Sequence, residues 1–250
     1  MKRDWFNFRA QADPTKVEIN VYGPIGAVGP DDDAVTSKAF LEQLQGLPAA
    51  VKDIAIHVNC AGGDPTEATA IANGLKEQRQ RHNRTVTTRI DALAASAATL
   101  ITCAGAPILI ADNAIMLIHE PWTITWGRAR DLRTSADALD RIFEAMLKVY
   151  AWVSPKSEAE LRAMCEAETW FDAREAVAAG FATAIVETNT GVTAQARLDQ
   201  GGGRALSVPN RFKNRATLPA GTQFKADSRR TLSTADLYAG RNARVQQVTR

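Results

Sequence analysis

Ile54-Ala55-Ile56-His57-Val58-Asn59-Cys60-Ala61-Gly62-Gly63-Asp64-Pro65 is the stretch on which the fold turns. Its first five residues alternate apolar with other side chains, the period-two signature of a strand with one buried face. Two glycines then let the backbone turn tightly. Asp64-Pro65 follows as N-cap and first-turn proline, so a helix runs from about 65 to 82. Strand, glycine turn and helix in immediate succession make one βα unit.

The same unit recurs on both sides. Val17-Glu18-Ile19-Asn20-Val21 alternates likewise and precedes a helical stretch at about 34–45. Thr85–Ile90 reads as a third strand, 95–104 as a helix, and Pro107–Ile110 and Ala114–Ile118 as two more strands. A long helix spans about 130–152, and shorter ones lie near 157–167 and 173–179. Repeated βα units predict an α/β chain, a largely parallel sheet wrapped by helices. Ala92–Ala111 carries no charge over a nearly membrane-spanning length. It is alanine-rich and broken by Pro107, which favours a buried helix followed by a buried strand over a transmembrane segment.

Composition narrows the class. The chain has 250 residues, 45% hydrophobic and 23% charged, as in an ordinary globular protein. Three widely spaced cysteines, Cys60, Cys103 and Cys165, make no disulfide framework and suit a reducing cytoplasm. The opening Met-Lys-Arg-Asp-Trp-Phe-Asn lacks the apolar core of a signal peptide. Residues 190–250 hold 11 Lys/Arg against 3 Asp/Glu, with Gly201-Gly202-Gly203 and few large apolar residues. They read as a basic, low-order tail, either a solvated extension or an attachment to an acidic partner. No nucleic-acid-binding motif accompanies them. The expected domains are therefore 1–189 and the 190–250 tail.

Three histidines keep the search for chemistry short. His57 lies mid-strand, and His82 sits in the polar helix end Gln78–Arg84. His119 closes the apolar strand Ile115-Met116-Leu117-Ile118, at the strand end where α/β proteins gather ligands and catalytic groups. Ser96, in Ala94-Ala95-Ser96-Ala97-Ala98, sits between a strand ending at Asp91 and a helix. Small neighbours are what a nucleophile on a sharp strand-to-helix turn needs, although the G-x-S-x-G spelling is absent. The backbone N–H of Ala97, and one from the Gly62-Gly63 turn, could meet an oxyanion. Each feature alone has a plain structural reading: a core histidine, close helix packing, an ordinary turn. Three strand ends, each bearing one part of an acyl-transfer site, are harder to dismiss.

Four motifs in order carry a resemblance: Asn59-Cys-Ala-Gly-Gly-Asp64, Asp91-Ala-Leu-Ala-Ala-Ser-Ala-Ala98, Met116-Leu-Ile-His-Glu-Pro-Trp122, and Glu168-Thr-Trp-Phe-Asp-Ala-Arg-Glu-Ala176. Over about residues 5–187 the chain resembles the ClpP family of serine peptidases, and more narrowly the ClpP-like head maturation proteases of tailed phages and prophages. The resemblance implies a ClpP/crotonase-like fold of repeated β-β-α and βα units with a long handle helix. It implies Ser96 as nucleophile, His119 as general base, and Gly63 and Ala97 as oxyanion-hole donors. The triad acid aligns with Glu168, where housekeeping members carry Asp and phage-type members commonly Glu; Glu166 and Asp172 stand close enough to substitute. Cys60-Ala61 replaces the family's usual Ser-Pro before the glycines, from which a looser oxyanion loop is expected.

Further implications concern assembly. Leu132, Ala136, Leu139, Phe143, Met146 and Tyr150 follow a 4-3-4-3-4 spacing, a helix–helix seam that serves either the chain's own core or a second subunit. The resemblance favours the second, a homo-oligomeric, heptamer-like ring, single or stacked. Capsid and scaffold proteins would then be substrates inside a prohead in the host cytoplasm. The basic tail would be a scaffold-like or capsid-binding extension. Trp5-Phe6-Asn7-Phe8 matches the phage-type subgroup more than the axial loops that dock unfoldases; an AAA+ ATPase partner is the alternative. No cofactor is implied: His57-x-x-Cys60 offers two metal ligands, too few for zinc, and no phosphate-binding glycine loop is present. A crotonase-like acyl-CoA enzyme and a silent shell protein are the competing readings.

Overall fold

The computed structural model describes residues 4–26 and 36–188. The basic 190–250 tail lies outside the described residues. In chain order the elements are β1 (Phe6–Ala10), β2 (Lys16–Tyr22), α1 (Ser37–Gln45), β3 (Asp53–Cys60), α2 (Pro65–Arg81), β4 (Thr85–Ala95), α3 (Ala97–Thr102), β5 (Ile108–Ala111), β6 (Ile115–Ile118), α4 (Ala129–Tyr150), α5 (Glu158–Glu166), β7 (Thr169–Asp172), α6 (Ala173–Ala178) and β8 (Ala184–Val186).

The strands form one mixed sheet in the order β1-β2-β3-β4-β5-β8, with β6 paired to β4 and β7 paired to β6. The β2-β3-β4-β5-β8 run is parallel throughout, as the βα units predict. The antiparallel pairs are β1 with β2 and β6 with β7. β1, β7 and β8 are strands that the sequence pattern does not reveal. They are three to five residues long and lack the four-residue apolar runs that mark β5 and β6.

Alternation in β3 is as read: Ile54, Ile56, Val58 and Cys60 are buried, while Ala55, His57 and Asn59 face the other side. Helix α2 lays Ala68, Ile71, Ala72 and Leu75 into the core at helical spacing. Asp64 caps it as expected, its side chain accepting from the N–H groups of Thr66 (2.7 Å) and Glu67 (3.2 Å). Trp5, Phe6, Phe8 and Phe40 pack ring on ring, fixing β1 and α1 to the body. The uncharged 92–111 stretch resolves into the end of β4, buried α3 and buried β5. No helix among the described residues is long and apolar enough to cross a membrane.

Two expectations need correction. The third strand does not stop at Asp91; β4 runs to Ala95. Alanine is a poor strand former, but here it is paired on both sides. Ala94 pairs with Cys60 of β3, and Leu93–Ala95 pair with Ile115–Leu117 of β6. The α4 seam also divides. Phe143, Met146 and Tyr150 are buried in the chain's own core, while Leu132 is 43% exposed and Ala136 stands in solvent. The preceding loop exposes Trp122 and Trp126 at 71% and 86%.

Candidate active site

β4 is the strand that builds the site. Its first half pairs with β5, through Thr88–Ile90, and its second half with β6, through Leu93–Ala95. Pairing with β3 shifts register between these halves: Val58 opposes Ile90 but Cys60 opposes Ala94. The strand thereby overshoots β5 and delivers Ser96 next to the end of β6.

Ser96 has φ +55° and ψ −132°, between the last residue of β4 and the first of α3. A left-handed φ at a non-glycine costs about 1–3 kcal/mol and collects at functional sites. The turn is held by the Ser96 N–H, which donates to the Leu117 carbonyl (2.9 Å). The Ser96 carbonyl in turn accepts from the Thr99 N–H (3.0 Å) and the Thr99 hydroxyl (2.6 Å). Ala97, as the first residue of α3, carries an N–H that the helix itself leaves without a partner.

The glycine loop lies directly against the serine. A Cβ on Gly62, whose φ is +106°, would stand 2.6 Å from Ser96 Cβ and 3.1 Å from its Oγ. Gly63 bridges to Ile25, and a Cβ there would stand 2.1 Å from the Ile25 carbonyl oxygen. Both positions therefore require glycine, for different neighbours. Without the proline, the loop is tied to Ile25 by hydrogen bonds on both sides of Gly63. Ile25 N–H donates to the Gly62 carbonyl (2.8 Å), and Asp64 N–H to the Ile25 carbonyl (3.0 Å). Beneath it, the Cys60 thiol donates to the Gly23 carbonyl (2.9 Å) and accepts from the Gly62 N–H (3.3 Å). The cysteine that departs from the family motif is a staple.

His119 follows directly on β6. Ile118 opposes Thr169 in the antiparallel β6–β7 pair, so His119 and Glu168 are the residues next beyond the end of that pairing. The histidine is half-buried. Burial pulls its imidazole below the ordinary value, while a hydrogen bond with the Glu120 backbone and the charges of Glu168 and then Glu120 pull it back up. Glu168 itself stands at φ +50°, a second non-glycine residue in the left-handed region. Among the described residues no direct side-chain hydrogen bond joins Ser96 to His119 or His119 to Glu168. Ser96 and His119 follow the ends of the paired strands β4 and β6, and the charge of Glu168 acts on the ring.

The alternative acids are placed differently. Asp172 opposes Ile115 at the far end of β7, and its carboxylate caps α6 by accepting from Arg174 N–H and Glu175 N–H (both 2.8 Å). Glu166 ends α5 and, although exposed like Glu168, is not among the charges that act on His119. Glu120, which the motifs do not single out, is the other carboxylate acting on His119, and adjacency is the available signal. His57 belongs to a different cluster: its Nδ1 lies 3.0 Å from Asp91 Oδ2, which also accepts from the Tyr22 hydroxyl (2.6 Å), while Asp91 Oδ1 lies 2.9 Å from Arg89 Nε. Burial alone would raise Asp91, but the bonds and charges of His57, Tyr22 and Arg89 hold its carboxyl below the ordinary value. His82 is exposed at the end of α2. Among the described residues, no three His, Cys, Asp or Glu side chains group to hold a metal.

A serine on a strained strand-to-helix turn, a glycine loop against it and a histidine under the charge of a carboxylate are the parts that a serine hydrolase uses. The chain belongs to the Clp protease family, whose model it matches over residues 25–189. It is a serine peptidase, a hydrolase acting on peptide bonds. One relative, the ATP-dependent Clp protease proteolytic subunit of Streptococcus mutans, is 29% identical over 167 residues, covering 64% of this chain and 83% of its own. The ATP-dependent Clp protease proteolytic subunit 2 of Frankia casuarinae is 28% identical over 165 residues, covering 64% and 74%. Among solved structures, a point mutant of ClpP1 from Listeria monocytogenes shares the fold at a TM-score of 0.57 and 21% identity, over 71% of this chain and 94% of that one.

Proposed function

We propose that the chain is an endopeptidase with Ser96 as nucleophile, His119 as general base and Glu168 as the acid that orients the imidazole. His119 takes the Ser96 proton as Oγ attacks a peptide carbonyl, and the backbone N–H groups of Gly63 and Ala97 hold the oxyanion. The imidazolium then gives that proton to the leaving amine. Water, activated by the same histidine, releases the acyl group and regenerates the serine. The observation that carries this reading is the left-handed backbone of Ser96, packed against Gly62, at the end of a strand whose neighbour β6 is followed directly by His119. Labelling with a fluorophosphonate, followed by mass spectrometry, tests it. A single adduct on Ser96, lost in Ser96→Ala, is the expected result; an adduct-free protein that still cleaves peptides would refute it.

The resemblance to phage-type members favours head maturation, with scaffold and capsid proteins as substrates and a homo-oligomeric ring as the working form. The integration of Trp5–Ala10 into the sheet and aromatic cluster supports the first part of this reading. Exposed Trp122, Trp126 and Leu132, on the loop and outer half of α4, support a self-associating surface. The relatives' description as proteolytic subunits of ATP-dependent proteases favours a second reading, in which an AAA+ unfoldase feeds the ring. Cleavage of a co-expressed scaffold protein without ATP supports the first reading. Degradation of a folded substrate only with unfoldase and ATP supports the second.

A further inference from the structure

A chain of buried hydroxyls runs from α4 to the backbone of Ser96. Thr99 Oγ1 lies 2.6 Å from the Ser96 carbonyl oxygen and 2.8 Å from the Tyr150 hydroxyl, with Thr99 and Tyr150 fully buried. Proton counting fixes the direction. The carbonyl can only accept, so Thr99 donates to it; a threonine hydroxyl has a single proton, so Tyr150 must be the donor to Thr99. Burial, with smaller contributions from neighbouring Cys165 and Cys103, raises the Tyr150 phenol well above its ordinary value, so it keeps that proton.

The Ser96–Ala97 peptide is planar and trans, so its C=O and N–H point in opposite directions. Anchoring the carbonyl toward the core turns the Ala97 N–H the other way, out toward the serine side of the turn. The Thr99 N–H also holds this carbonyl (3.0 Å), as any helical turn would. The hydroxyl chain adds an anchor from a different helix, at a residue whose φ of +55° and ψ of −132° resist relaxed geometry.

We propose that Tyr150 and Thr99 are positioning residues of the peptidase: their hydroxyl chain fixes the Ser96 carbonyl and so aims the Ala97 N–H at the oxyanion. This rests on the reading of Ser96 as nucleophile and Ala97 as donor. It ties the accuracy of the site to the last turn of α4, whose other end carries the exposed apolar surface.

The test uses the full-length protein with Tyr150→Phe, Thr99→Val, Thr99→Ser and Ser96→Ala. Tyr150→Phe keeps the ring that packs edge-on against Phe181 (5.6 Å) and removes only the oxygen. Active serines are titrated with fluorophosphonate, and kcat for a fluorogenic peptide is expressed per titrated serine, so unfolded protein does not enter. Removing an oxyanion donor costs about 10²–10³ in kcat, and misaiming one costs less. Tyr150→Phe and Thr99→Val are expected to lower kcat about tenfold or more with KM nearly unchanged, and Thr99→Ser to restore it. Parent-like kcat in both variants, beside an inactive Ser96→Ala, would overturn the inference alone. So would failure of Thr99→Ser to recover. Full activity in Ser96→Ala would instead overturn the underlying reading and this one with it.

Discussion

Gly62→Ala is the sharpest single perturbation of this site. The added Cβ would stand 2.6 Å from Ser96 Cβ and 2.9 Å from the Ala95 carbonyl oxygen, against about 3.5–4.0 Å for comfortable carbon contact. The backbone at φ +106° is also one that L side chains rarely adopt, adding about 1–3 kcal/mol of strain. Overpacking of this kind costs a further ~1–3 kcal/mol. The loop cannot simply retreat, because Ile25 holds it at Gly62 and Asp64 and the Cys60 thiol holds the Gly62 N–H. Ser96 must therefore yield by close to an ångström, and a misplacement of that size costs about 10² in rate. The assay is the second-order rate of fluorophosphonate labelling, together with kcat/KM on a peptide and the melting temperature. Labelling slowed about a hundredfold with a lowered Tm is expected. A variant that labels and melts like the parent would refute the packing of the glycine loop on Ser96.

Other outcomes follow from the same geometry. His119 must be neutral to act as base, and its imidazole is held below the ordinary value, so the acid limb of kcat/KM is expected below about pH 6.5. Glu168 and Glu120 both raise that imidazole, so removing either charge moves the limb to still lower pH. The shift in Glu168→Gln should exceed that in Glu120→Gln, and the reverse order, read from pH–rate profiles, would move the acid role to Glu120. Asp172→Ala removes the α6 cap and is expected to cost about 0.5–2 kcal/mol of stability by denaturant titration, with kcat per titrated serine intact. Cys60→Ala leaves the Gly23 carbonyl and Gly62 N–H without their thiol partner, about 1–3 kcal/mol. Cys60→Ser, which keeps donor and acceptor, should melt closer to the parent. Leu132→Asp is expected to lower the oligomer mass in sedimentation while leaving the melting of the isolated subunit within about 0.5 kcal/mol, since Leu132 touches solvent in the monomer.

Much is written in the linear chain because it depends on neighbours in sequence. Alternation sets the faces of β2 and β3, Asp64-Pro65 sets the start of α2, and the small residues around Ser96 mark a turn that only close packing would need. Short strands without a four-residue apolar run like those of β5 and β6 look like loops in the sequence, so β1, β7 and β8 emerge only with their partners. Periodicity cannot carry β4 beyond Asp91 either, since Leu93–Ala95 are strand because Cys60 and β6 lie beside them, not because alanine prefers it. Position along β7 likewise separates the candidate acids: Thr169, next to Glu168, faces Ile118, next to His119, and Asp172 lies at the other end of the strand.

Cys60 and Tyr150 make the same point from side chains. In sequence, Cys60 is a departure from the family's glycine motif and Tyr150 the last position of an apolar seam. In the folded chain they are a staple under the glycine loop and a hydrogen-bond donor behind the turn at Ser96. Which backbone turns exist is legible in the linear chain, because glycine, proline and capping chemistry act over a few bonds. Which groups meet at those turns is not, because contacts such as Tyr150 with Thr99 and Ile25 with Gly63 join residues brought together by the sheet and its packed helices.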